Sequence, residues 1–281
     1  MRYRTLFLSD IHLGTRGCQA DLLLDFLDHH DADTIYLVGD IVDGWQLRRG
    51  WHWSARHNDI VASFLDKARA GTRIIYIPGN HDEAMRPYQG THFGGIELMQ
   101  RDEFEAADGR RYLVTHGDQF DSVVVHAKWL AYLGDHAYVT ILWMNTWVNK
   151  LRWLWGGQYW SLSKWVKHQV KGAVNFISSY EDVLSEEARR GGFDGVICGH
   201  IHSANIRKIG EVDYLNTGDW VESCTAIAER DDGRMILIDW AGAKRRRERV
   251  RQRDRRPNNV ERRLSASEAP EARQNAHEKR A

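Results

Sequence analysis

The run Leu6-Phe7-Leu8-Ser9-Asp10-Ile11-His12-Leu13 decides the fold. Thr5–Leu8 is an apolar, strand-like stretch, and it ends in a carboxylate and an imidazole two residues apart. Along an extended chain, residues i and i+2 point to the same side, so Asp10 and His12 can grip one ion together. Later strand-like stretches end the same way. Thr34–Val38 runs into Gly39-Asp40-Ile41-Val42-Asp43, Arg73–Ile77 into Gly79-Asn80-His81-Asp82, and Arg111–Thr115 into His116-Gly117-Asp118. Gly195–Cys198 runs into Gly199-His200-Ile201-His202. Loops at the ends of neighbouring strands converge on one edge of a sheet, and the two oxygens of a carboxylate such as Asp40 can bridge two cations. The set is rich in oxygen and imidazole and has no thiolate. That suits Mn²⁺, Fe²⁺ or Zn²⁺ better than a closed structural zinc site.

Working outward, amphipathic helical stretches at Gln19–His29 and Asn58–Ala70 separate the early strands. The end of the chain is a series of short strands, Val212–Asn216, Thr225–Ala228 and Met235–Ile238, without long helices. A βαβαβ opening followed by such strands predicts an α/β layered sandwich over residues 1–242. Two segments do not follow this pattern. Residues 121–180 read as a helical insert holding seven of the twelve tryptophans. Residues 243–281 lack apolar periodicity, begin with Lys244-Arg245-Arg246-Arg247, and read as a disordered basic tail with a nascent helix at its start.

The formal charge of zero hides an asymmetry. From Lys244 to Ala281 there are 14 Lys/Arg against 6 Asp/Glu, which leaves 25 and 33 in the first 243 residues. An acidic body disfavours binding to a nucleic-acid backbone outside the tail. Three cysteines, Cys18, Cys198 and Cys224, without CxxC spacing argue against a disulfide framework and fit a reducing, cytoplasmic setting. The first strand begins almost at once and delivers Asp10, so no cleavable leader is expected. No run of 18 apolar residues is present; the nearest, Tyr138 to Trp155, is broken by Asn145, Asn149, Lys150 and Arg152.

The order DxH, GDxxD, GNHD, HG, GHxH resembles the calcineurin-like metallophosphoesterase superfamily over about residues 5–240. A lone DxH is weak; five pieces in order, each closing a strand, are specific. The resemblance implies one ion held by Asp10, His12, Asp40 and His202, and a second by Asp40, Asn80, His116 and His200. Two cations roughly 3.5–4 Å apart acidify a shared water and offset charge developing on a phosphoryl group. His81, beside Asn80, is then placed to donate to the phosphoryl group or the leaving oxygen, with Asp82 as its orienting partner. Asp43 and Asp118 read either as hydrogen-bond partners of ligand histidines or as turn-stabilising residues. The remaining histidines, including His29, His30, His52, His57 and His92, carry no such pattern and are expected mostly at the surface.

Within the superfamily the chain is most similar to the UDP-2,3-diacylglucosamine pyrophosphatase branch. The residues that carry this are Leu6 to Leu13, Gly39-Asp40-Ile41-Val42-Asp43-Gly44-Trp45, and an insert placed directly after His116-Gly117-Asp118. The similarity implies hydrolysis of a nucleotide-linked lipid pyrophosphate, with the insert as a lid and the enzyme peripheral on the inner membrane. It also implies substrate contacts from Asn80, His81, Asp121, Ser163, Lys164 and Lys167. Those enzymes carry arginine after the metal-binding asparagine, where this chain has His81. Trp and Lys mixed through the insert fit an anionic membrane or an amphiphilic phosphate-bearing ligand, although the same tryptophans would also pack helices onto the body. The basic tail reads as solvated chain or as attracted to anionic lipid. Arg48, Arg49, Trp51, His52 and Trp53 form a second candidate wall of the site. A soluble phosphodiesterase, a nuclease and an interaction module on the same scaffold are the rival readings.

Overall fold

A computed structural model of the chain describes residues 1–123 and 177–246. The insert tryptophans, Ser163, Lys164, Lys167 and the tail beyond residue 246 lie outside the described residues. The chain divides into two units, Met1–Trp240 and Ala241–Ala281.

Among the described residues, the first unit has twelve strands in two sheets. β1 (Arg2–Leu8), β2 (Asp31–Val38), β3 (Arg73–Ile77), β4 (His92–Phe93), β5 (Ile96–Leu98), β11 (Thr225–Glu229) and β12 (Met235–Asp239) make a seven-stranded sheet in the order β12-β11-β1-β2-β3-β5-β4. β6 (Asp102–Glu105), β7 (Arg111–Val114), β8 (Gly195–Cys198), β9 (Asn205–Ile209) and β10 (Val212–Asn216) make a five-stranded sheet in the order β6-β7-β8-β10-β9. Strands β1, β2, β3 and β5 pair in parallel, as do β7, β8 and β10. Parallel pairing requires cover on both faces, and the last four residues of β1, β2 and β3 are correspondingly buried and, Thr5 aside, apolar.

Alternation along the strands sorts the core into layers. Phe7, Tyr36, Val38, Ile75, Ile77 and Ile227 of the larger sheet meet Phe104, Tyr112, Val114, Ile197 and Leu215 of the smaller one. The outer face of the smaller sheet packs Leu113, Val196, Val212 and Tyr214 against Tyr180, Leu184 and Ala188 of a helix at 177–190. The larger sheet has α1 (Ala20–His29) and α3 (Ala55–Arg69) with it. Their inward residues Leu23, Phe26, Ile60 and Phe64 are all buried. The result is an α/β/β/α sandwich. Each fully buried side chain of this kind contributes about 1.5–3 kcal/mol. Ser54 caps α3 by accepting from the His57 amide at 3.3 Å.

Parallel strands bring their carboxyl ends to one edge. β1, β2 and β3 therefore end side by side, next to the ends of β7 and β8, and the loops that follow form the site.

Candidate metal centre

The loop after β1 is tied to the loop after β2. The amides of Asp10, His12 and Leu13 donate to the carbonyls of Gly39, Asp40 and Ile41 at 2.8–2.9 Å. The smaller sheet joins through the His200 amide, which donates to Asp10 Oδ2 at 3.0 Å. Asp10, His12, Asp40, His200 and His202 all adopt left-handed backbone conformations, with φ between 51° and 72°. Among the described residues only one other non-glycine residue, Cys224, does so. Such a residue costs about 1–3 kcal/mol, and it persists where the surroundings over-determine it. Five of them in one cleft mark a site shaped for something other than stability.

Asp10, His12 and His202 bring ligand atoms together, and so do Asp40, His116 and His200. His202 Nε2 lies 3.2 Å from Asp10 Oδ1, and His12 Nε2 lies 4.0 Å from both Asp10 Oδ1 and Asp40 Oδ2. Asp40 Oδ2 is also 3.4 Å from His116 Nε2, so one carboxylate oxygen stands between the two groups. Its other oxygen accepts from the His81 amide at 2.8 Å. His116 Nδ1 faces the Val38 carbonyl at 2.8 Å, which leaves Nε2 for the cleft. His200 Nε2 faces Asp121 Oδ1 at 2.8 Å.

Asp10 Oδ1, His12 Nε2, Asn80 Oδ1 and His116 Nε2 are buried and make no hydrogen bond. A buried polar atom left this way costs about 1–3 kcal/mol, and each of these four is a metal-ligand atom type. The residues present therefore fit a pair of divalent cations. The electrostatics agree. Burial opposes charge on His116 and His202, yet Asp40 beside the first and Asp10 beside the second outweigh it, pushing them up to about 10 and about 9. Burial likewise opposes charge on Asp40, but the surrounding imidazoles hold it well below the usual carboxylate range. The buried carboxylates thus hold positive charge in the cluster, as protons on these imidazoles or as cations in their place.

Asp43 is the partner of two imidazoles. Its Oδ2 lies 3.1 Å from His12 Nδ1 and 3.0 Å from His81 Nδ1, while Oδ1 caps α2 (Gly44–Arg49) through the Gln46 amide at 2.8 Å. Burial opposes its charge, but these contacts keep the carboxyl well below its ordinary range. His81 is correspondingly raised, burial being outweighed by Asp43 and Asp40. The Trp45 ring packs on His81 with centroids 4.3 Å apart.

Several sequence expectations need correction. Asp82 does not orient His81. Its carboxylate turns back to accept from the amides of Gly79 and Ile41 and from the Tyr76 hydroxyl, pinning the β3 loop to the β2 loop. Burial and the nearby Asp40 raise its pKa. Asp118 pairs with Arg86 at 2.6 Å rather than with a ligand histidine. Asp121, expected at the substrate, also lies against His200. His30 and His57 are buried rather than exposed; His30 stacks on Phe26, and His57 Nδ1 faces the Gly14 amide. Trp45 meets His81, while Trp51 is 77% exposed beside Trp53.

Sequence reasoning missed the supports. Ser9 Oγ contacts Asp10 and Thr217, and Asn216 Nδ2 donates to the Gly199 carbonyl at 2.8 Å. The Tyr180 hydroxyl donates to the His116 carbonyl at 3.2 Å. The polar run Asn216-Thr217-Gly218-Asp219, closing β10 at the same edge as the other ligand loops, was the available signal.

A profile for calcineurin-like phosphoesterases matches residues 3–204. The chain belongs to the calcineurin-like phosphoesterase family. Among relatives, it is 24% identical over 238 residues to the UDP-2,3-diacylglucosamine hydrolase of Vibrio atlanticus, covering 77% of this chain and 89% of that one. It is 26% identical over 163 residues to the DNA polymerase II small subunit of Methanothermobacter thermautotrophicus, covering 47% of this chain and 34% of that one. It spans about half the length of several other curated relatives it matches. Among solved structures, the phosphoesterase Yfce of E. coli aligns with a TM-score of 0.40 at 14% identity, covering 84% of this chain and 98% of that one.

Proposed function

We propose that this member of the family is a dinuclear-metal hydrolase of a phosphoanhydride bond, acting on UDP-2,3-diacylglucosamine or a similar nucleotide-linked lipid at the cytoplasmic face of the inner membrane. The observation that carries the hydrolase reading is the set of four buried ligand atoms with no hydrogen bond, gathered from both sheets. One ion would be held by Asp10, His12, Asp40 and His202, the other by Asp40, Asn80, His116 and His200. When bound, two divalent ions, Mn²⁺ foremost with Fe²⁺ or Zn²⁺ as substitutes, supply positive charge against a phosphoryl group and acidify water.

The chain's own residues do the rest. Asp43 fixes the ring of His12 so that Nε2 faces the cleft, and it holds His81 from the other side. His81 keeps its proton to higher pH than an ordinary imidazole and donates it to the leaving oxygen. Asp121 orients His200, and Asp82 keeps the β2 and β3 loops in register. The lipid part of the reading is supported by the hydrolase relative of which 89% is covered and by the Trp- and Lys-rich segment 121–180, with Ser163, Lys164 and Lys167 as its proposed phosphate contacts.

A second reading, a phosphodiesterase for a small soluble substrate, is favoured by His81 standing where the lipid-pathway enzymes have arginine. The experiment is Mn²⁺-dependent release of UMP from UDP-2,3-diacylglucosamine, beside bis(p-nitrophenyl) phosphate and a His116→Ala control. Release that vanishes in the control supports the first reading. Cleavage of the aryl ester alone leaves the metal chemistry and overturns the lipid assignment.

A further inference from the structure

The parallel step from β3 to β5 contains no full helix. It is made by a 3-10 turn at Glu83–Tyr88 and the two-residue strand β4. The outer face of β3 and β5 is therefore only partly covered, and a cavity of about 260 Å³ remains between that face and α3. Leu37, Tyr76, Ile96 and Leu98 supply its sheet wall, and Val61 and Phe64 its helix wall. Its lining continues to Trp45, His81 and Asp82, so it shares a wall with the candidate metal centre. Trp45 and Phe93 at its rim are 39% and 64% exposed, so the cavity is not sealed from outside.

Packing of protein interiors normally leaves few voids larger than a water molecule. An apolar cavity of about 150 Å³ stays dry and takes a benzene, so this one has room for on the order of ten carbons. Hydrocarbon fits the lining: the sheet and helix walls are apolar but for the Tyr76 hydroxyl, and the buried Asp82 carboxylate that engages it is also taken by the Ile41 and Gly79 amides. The shared His81 wall places such a chain within reach of a phosphoryl group in the cleft. Arg48 at the rim adds a cation beside the same opening.

We propose that this cavity is a subsite for one unbranched hydrocarbon chain of a phosphate-bearing amphiphile, with the phosphate held at the metal centre and the chain running between β3–β5 and α3. This rests on the phosphohydrolase reading above and names where in the described body its substrate is recognised. Chain length, set by the depth of the cavity, becomes a specificity determinant.

The test is isothermal titration of the full chain in Mn²⁺ with n-alkylphosphonates from methyl to decyl, which bind without being cleaved. Affinity is expected to rise about fourfold per methylene as the chain fills the cavity, from the usual value of buried CH₂. Val61→Phe, and separately Met85→Trp at the rim, are expected to end that rise several carbons earlier while leaving methylphosphonate affinity and bis(p-nitrophenyl) phosphate turnover unchanged. Wild-type affinity independent of chain length overturns the proposal, as does a rise that neither substitution shortens. Failure of the catalytic reading looks different: no hydrolysis of either ester, with the chain-length dependence intact.

Discussion

Asp43 shows how one side chain sets two functions. Its carboxylate touches His12, the proposed metal ligand, and His81, the proposed donor to the leaving oxygen. Asp43→Asn keeps an acceptor oxygen but removes the charge that raises His81. Activity should fall by about 10–100-fold, and the alkaline limb of the pH–rate profile should move to lower pH. The sign follows from the direction: a raised imidazole pKa extends the protonated donor to higher pH, and losing Asp43 shortens that range. A limb that stays in place would remove His81 from the donor role. That the Asp and His residues of the site would gather at one edge was readable in the sequence, because each closes a strand. Asp43 was readable as a histidine partner or a turn residue, but which imidazoles it meets was not, because spacing alone does not say. Asp82 misled for the same reason: adjacency to His81 suggested a partnership, and the tight turn after β3 sends its carboxylate back to the Gly79 amide instead.

Among the elements, the β3 loop has the least room. A Cβ on Gly79 would strike Asp40 Oδ1 and come within 2.6 Å of the His116 ring, a distance real Cβ atoms do not reach. Gly79→Ala therefore forces the shared carboxylate and a ligand imidazole apart. The expected outcome is a folded protein, judged by circular dichroism, whose Mn²⁺ content and activity drop together by about 10–100-fold; normal metal content would contradict it. The eight strands and two helices expected from apolar patterning are all present. The helix at 177–190 was overlooked past residue 180 although Leu184 and Ala188 are core residues; the other elements overlooked are short or weakly apolar. β4 has two exposed residues, and β9, Asn-Ile-Arg-Lys-Ile, carries charge on an edge. α2 has no buried residue at all and so leaves no amphipathic trace. That helix apart, what was legible is what the core requires; what was not is held by loops and hydrogen bonds.

For the whole molecule, ion binding and pH act on the same groups. In chelator, His116 and His202 stand above their ordinary value, so the stability they contribute is complete below about pH 6.5 and is lost as pH rises toward their values of about 9 to about 10. Asp40 and Asp43 are depressed, so theirs is present above about pH 3.9 and lost as pH falls further. The chelated protein should therefore melt at lower temperature at pH 8.5 than at pH 6. Ligand imidazoles must be neutral, so the Tm gain on adding Mn²⁺ should instead grow over that range. A hundredfold excess over Kd should raise Tm by about 5–10 °C. A gain that shrinks with pH in scanning fluorimetry would count against imidazole ligation. The two sheets meet through apolar packing in their shared core and a few hydrogen bonds such as His116 Nδ1 with the Val38 carbonyl, and Asp10, Asp40 and Asn80 follow strands of one while His116, His200 and His202 follow strands of the other. Catalysis is thus a gauge of how the layers are seated. A collapsed, expanded state that kept every strand but let the sheets slip by an ångström would look intact to far-ultraviolet light and be dead in the assay.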